Sequence, residues 1–110
     1  MKLDGRKLRV GPFTVRIWAD KDAESAAAAA GASGAWLGDE LRILIDRRSA
    51  PLRQLATLLH EAMHGLWEDT PLDKQYTDEQ EEAIILTLER GLVQVLRDNP
   101  WFVDALLEAE

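Results

Sequence analysis

The chain has 110 residues, a length suited to one domain that buries roughly 65% of its unfolded surface without staples. It has no cysteine, so disulfides and thiolate metal ligands are excluded. Its net charge of −7 argues against a nucleic-acid partner, whose phosphates call for a basic patch.

The N-terminus, Met1 to Arg6, carries no apolar core of a signal peptide, and no apolar run approaches the ~20 residues of a membrane span. The sequence therefore reads as a cytoplasmic chain with no membrane partner. Gly11-Pro12 punctuates the start of Phe13–Trp18, which alternates apolar and polar residues as a strand does. Residues 21–34 are Ala-rich and end in Gly31 and Gly34, consistent with a short helix or a mobile connection. Ala35-Trp36-Leu37, Gly38-Asp39 and Leu41–Ile45 then predict a hairpin, with Leu41, Ile43 and Ile45 on one face. Arg42, Arg47, Arg48 and Arg53 cluster here and read as a solvated surface.

Ser49-Ala50-Pro51 is a helix entry. Leu52, Leu55, Leu59, Met63 and Leu66 follow at helical spacing, the stripe of an amphipathic helix packed on a core. Inside it lies His60-Glu61-Ala62-Met63-His64, an HExxH pentapeptide that contains both histidines of the chain. Residues four apart on a helix differ by about 40° in azimuth, so the two imidazoles can converge on one metal ion. Glu61 is offset from both and can reach a water beside that ion. This is the metal-plus-base pattern of a zinc hydrolase.

A catalytic zinc takes three protein ligands. The three-histidine extension fails, because Thr70 stands where its third histidine would be and Trp67 where its glycine would be. The third ligand is then a carboxylate, and Glu68, Asp69, Asp73, Asp78, Glu79, Glu81 and Glu82 are near in sequence. Thr77-Asp78-Glu79-Gln80 is a capping box that opens a second long helix over roughly 78–97. Its apolar stripe is Ile84, Ile85, Leu88, Leu92 and Val95. With Ile85 at zero, Glu81 falls at about −40°, inside the stripe, and Glu82 at about +60°, at its edge near Glu89. A carboxylate within an apolar face needs a partner, so periodicity favours Glu81 as the third ligand, with Glu82 as the alternative. Tyr76 and Glu81 occupy the two staple positions around the cap, which predicts the ring over Glu81. Trp67 reads as core. Asn99-Pro100 starts a third helix, whose Trp101, Phe102, Val103, Leu106 and Leu107 also read as core.

HEAMH on one helix with a glutamate on the next resembles the gluzincin branch of the zincins. Leu41 to Pro100 further resembles small phage- and prophage-encoded metallopeptidases, distantly akin to the ImmA/IrrE proteases. The matching elements are the strand ending in Ile45-Asp46, the segment Leu58 to His64, the acidic run Asp78–Glu82 and Gly91 to Asn99. The resemblance implies His60 and His64 as zinc ligands and Glu61 as the catalytic base. It places the third ligand before a small residue, which points to Glu82-Ala83 rather than Glu81. The expected fold is α+β, a minimal zincin-like domain spanning 1–110. A small antiparallel sheet packs on the HExxH helix, with two further helices. The expected function is zinc-dependent hydrolysis of a peptide or protein substrate, which pairs with a sheet edge near Leu41–Ile45. The alternative is a non-catalytic, metal-binding interaction module.

Overall fold

The computed structural model describes residues 1–110. Its elements are strands β1 (Lys7–Val10) and β2 (Phe13–Trp18), helix α1 (Lys21–Ala30), and strands β3 (Gly34–Leu37) and β4 (Arg42–Ile45). Helices α2 (Pro51–Glu68), α3 (Leu72–Gln75), α4 (Asp78–Asp98) and α5 (Pro100–Glu108) follow. The fold is α+β, as the sequence predicts. Strand β1 and the single turn α3 are additions to that reading.

The sheet runs in the order β1-β2-β4-β3 and is mixed rather than antiparallel throughout. Strands β1 and β2 pair antiparallel, as do β3 and β4, but β2 and β4 are parallel, with Ile17 opposite Ile43. A parallel pair needs a crossover of a dozen or more residues. The Ala-rich segment supplies it, because it folds as α1. Asp20 caps that helix, accepting from the Ala23 N–H at 2.9 Å, and Gly31 ends it at a φ of 63° that side chains disfavour. Ala23 and Ala27 are buried against Leu44 on one sheet face. The opposite face packs Ile43 and Ile45 with Val15, Ile17 and Ala62 of α2. Strand β4 is thus buried on both sides, the usual fate of a strand inside a covered sheet. Leu41 does not join that face. It sits before the strand at φ 51° and is exposed.

Since β4 is paired on both edges, the strand edge expected to be open at Leu41–Ile45 is closed. The open edge near the HExxH helix belongs to β3. Asp46 donates its N–H to Ser33, so this register places Ala35 and Leu37 in hydrogen-bonded pairs. Gly34 and Trp36 therefore turn their N–H and C=O groups away from β4.

Helix α2 lies on the sheet by a face other than its leucine stripe. Its buried residues are Gln54, Thr57, Glu61, Ala62 and Gly65, whereas Leu52, Leu55 and Leu66 are exposed. The cause is close packing of small residues. The Trp36 ring lies where a Cβ on Gly65 would come within 2.6 Å, so only glycine fits there. The Trp36 Nε1–H donates to Glu68 at 2.8 Å and fixes the ring. Gln54 donates to the carbonyls of Arg47 and Ser49, tying down the loop that enters the helix.

The capping box of α4 forms as expected. Gln80 donates its N–H to the Thr77 hydroxyl at 3.1 Å, and the Gln80 side chain accepts from the Thr77 N–H at 2.9 Å. Along α4 only Glu81 and Ile85 are buried, and Leu88, Leu92 and Val95 remain exposed. Helix α5 contributes no buried residue, so Trp101, Phe102, Leu106 and Leu107 are surface rather than core. The stripes are genuine, but no element of the chain covers these parts of them. Three of the four clustered arginines are paired on the surface, Arg42 with Glu40, Arg47 with Glu24 and Arg48 with Asp46. No helix is long and apolar enough to cross a membrane.

Candidate metal centre

The HExxH pentapeptide occupies the middle of α2, and the first turns of α4 run alongside it. The two helices are antiparallel, for His64 meets the start of α4 and His60 meets a residue two turns further on. The imidazoles approach edge to face, with centroids 5.0 Å apart. His60, Glu61 and His64 offer ligand atoms that all lie within 4.8 Å of one another, and this cluster could hold a metal ion.

Each imidazole has a carboxylate near both of its ring nitrogens. His64 Nδ1 lies 2.5 Å from Glu81, and His60 Nδ1 lies 3.3 Å from Glu89. Both Nε2 atoms face Glu82, whose two oxygens lie 2.8 Å from His60 and 2.7 Å from His64. Ionised carboxylates only accept hydrogen bonds. Carboxylates flank both nitrogens of His64, so without an ion both nitrogens can carry a proton, whereas an ion at Nε2 would leave Nδ1 as the donor to Glu81. The donor set of two imidazole nitrogens with carboxylate oxygens suits zinc and other first-row ions alike.

The two candidate carboxylates thus occupy different edges of the His64 ring. Glu81 is buried, as its place in the stripe predicts, and its partner is the Nδ1 atom. Glu82 is half exposed and is the only α4 carboxylate that touches both Nε2 atoms. Glu89 is an addition to the expected set. Its spacing of seven from Glu82 is two helical turns, a signal that places both residues on one face. The other nearby acids, Glu68, Asp69, Asp73, Asp78 and Glu79, make no contact with either histidine. Tyr76 packs its ring on Trp67, with centroids 5.7 Å apart, and makes no hydrogen bond to Glu81. Trp67 is partly buried and lies outside both core clusters, with its indole N–H buried and unpartnered.

Burial pushes the Glu61 carboxyl above its usual range. The charges of His64 and His60 pull it back in part, and that of Glu82 adds to the rise. The Trp36 N–H on the open edge of β3 also favours the ionised form of Glu61. For His64, burial lowers the pKa, but the hydrogen bonds it donates to Glu81 and Glu82 and the charges of Glu61 and Glu82 outweigh it. The net shift is upward.

A cleft of about 510 Å³ opens beside the histidines. The β3 side contributes Ser33 and Gly34, α2 contributes Arg53, Thr57, His60 and Glu61, and α4 contributes Glu82 and Arg90. Gly34 lets the strand approach α2, because a Cβ there would lie 2.6 Å from the Leu44 carbonyl oxygen and from the Thr57 methyl. Compared with known families, curated proteins and solved structures, the chain matches none.

Proposed function

We propose that this chain is a zinc-dependent peptide hydrolase, with the ion held by His60, His64 and Glu82 and with Glu61 as general base. The observation that carries the reading is the shared focus of the two Nε2 atoms on Glu82, while Glu81 binds His64 Nδ1 and Glu89 lies beside His60 Nδ1. Glu81, which periodicity favoured as a ligand, is better used here as the group that orients His64. Such outer carboxylates fix the ring and raise its basicity.

Zinc at this position supplies Lewis acidity, polarising a substrate carbonyl and lowering the pKa of a coordinated water towards ~7. The remaining chemistry belongs to the chain. The place of Glu61 on the cleft wall beside His60 lets its carboxylate receive a proton from water in the cleft. The same group then returns that proton to the leaving amide nitrogen. The outward backbone groups of Gly34 and the Trp36 carbonyl can pair with an extended peptide that enters the cleft past Gly34, which supports a peptide as substrate.

Metal analysis of the purified protein and chelator-sensitive cleavage of a peptide library test the reading. Glu61→Gln is expected to retain zinc and lose hydrolysis. Cleavage at the wild-type rate by that variant would refute the mechanism. Stoichiometric zinc without any cleavage would instead support a metal-binding interaction module. Glu82→Gln is expected to lose more zinc affinity than Glu81→Gln, and the reverse order would return the third-ligand role to Glu81.

A further inference from the structure

Helices α2 and α4 form a second seam on the side away from the cleft. Leu88 and Glu89 are neighbours on α4, so their side chains point about 100° apart. Glu89 faces His60, and Leu88 faces an apolar depression of about 260 Å³ floored by Met63, Trp67 and Ile85. A second depression, of about 380 Å³, lies between α2 and β1, around Leu55, Leu58 and Ala62. Leu66 lines both, so the two depressions adjoin at its side chain, and the groove is the pair of them. Leu92 continues the Leu88 side of α4 one turn on and is exposed as well.

The chain also carries a helix with no groove. Trp101 is 69% exposed, Leu106 63% and Leu107 79%, and no residue of α5 is buried. A helix of 9 residues is too short to persist in water on its own propensity, so its stability depends on an apolar partner. The exposures of the groove and helix side chains together amount to apolar surface on the order of 800 Å². It matches the roughly 800 Å² per partner buried in a stable protein interface.

We infer that two copies of this chain form a two-fold dimer in which α5 of each protomer docks into the α2–α4 groove of the other. The mode is an amphipathic helix in an apolar groove, made twice by symmetry. Three observations select a second copy as the occupant. One chain holds both halves of the contact, an uncovered groove and an uncovered helix. The area they offer is that of a stable dimer. Their charges also match: the one charged residue lining the two depressions is Arg9, whereas residues 100–110 carry Asp104, Glu108 and Glu110 and no base. Because the groove and the cleft share no lining residue, the dimer leaves the cleft open. Its existence does not depend on metal binding or turnover.

Sedimentation of the full chain over a concentration series tests this. The expected species has twice the 12.3 kDa chain mass, with a dissociation constant on the order of micromolar. Trp101→Glu on the helix and Leu88→Arg in the groove should each weaken association at least ~100-fold while leaving the circular dichroism spectrum unchanged. Trp101 is the safer variant for folding, because it supports nothing in the protomer. Mixing the two variants should restore part of the association, since the Trp101→Glu groove can receive the intact α5 of Leu88→Arg. A wild-type chain that remains monomeric at roughly 200 µM overturns the proposal and leaves the surface to a different protein. A dimer that survives both substitutions overturns it too, and a mixture that fails to associate rules out the reciprocal arrangement.

Discussion

The two halves of α4 have similar apolar spacing and opposite fates. In the first half, Glu81 and Ile85 are buried against α2, and Glu81 and Glu82 there, with Glu89 just past the midpoint, lie against histidine nitrogens. In the second half, Leu92 and Val95 meet no covering element, and α5 beyond them is exposed along its length. Polar side chains are ordered where the helix meets the HExxH motif, and apolar ones are left open where it does not. An apolar stripe therefore records that a helix has a partner, without recording whether the partner is in the same chain.

The contrast can be broken most severely at Glu61. Glu61→Gln should lower cleavage by about 10²–10⁴-fold with zinc retained, read from steady-state rates and metal content. Within α4, Ile85→Ala should cost about 2–5 kcal/mol in denaturant unfolding, because it empties a fully enclosed position. Glu81→Gln removes the carboxylate behind His64 and should weaken zinc binding about 10–100-fold, as measured by competition with a chelating dye.

Acidity sharpens the comparison further. The His64 pKa is raised on folding, so its contribution to stability is complete below the ordinary value of 6.5 and is lost as pH rises through the folded value. Glu61 is raised too, so the folded state also loses relative stability as pH climbs above 4.5, the ordinary value for this group. Both shifts carry the same sign. The chelator-treated protein should therefore melt at lower temperature as pH rises from about 6 to 8. Added zinc should stabilise more over the same range, since ligand nitrogens must be deprotonated to bind it. A zinc-dependent rise in melting temperature that shrinks with pH would contradict this assignment. The smallest effect belongs to the open half of α4. Leu92→Ala should cost under about 1 kcal/mol when unfolding is measured in dilute solution, because the side chain is already partly solvated.

Much of the site was legible because it is local. His60, Glu61 and His64 lie within five residues, and the helical repeat alone brings the imidazoles together. The capping box likewise needs only Thr77 and Gln80. Helical phase correctly placed Glu81 in the buried stripe. It did not reveal that the partner there is Nδ1, nor that Glu82, at the stripe's edge, meets both Nε2 atoms. Azimuth on one helix gives a direction, whereas the choice between two edges of a ring depends on the separation and offset of the facing helix. The leucine stripe of α2 misled for a related reason. Close approach of Trp36 to Gly65 selects the small-residue face, and hydrophobicity does not measure closeness.

By itself, then, the sequence determined helices α2, α4 and α5, the capping box of α4, the HExxH cluster and the α+β class, because each depends on contacts a few residues apart or on composition. Only the tertiary structure decided the parallel pairing of β2 with β4, the open edge at β3, the division of labour among Glu81, Glu82 and Glu89, and the exposure of α5. Those features join residues far apart in the chain, and their geometry is set by how the sheet twists and how closely the helices can approach it.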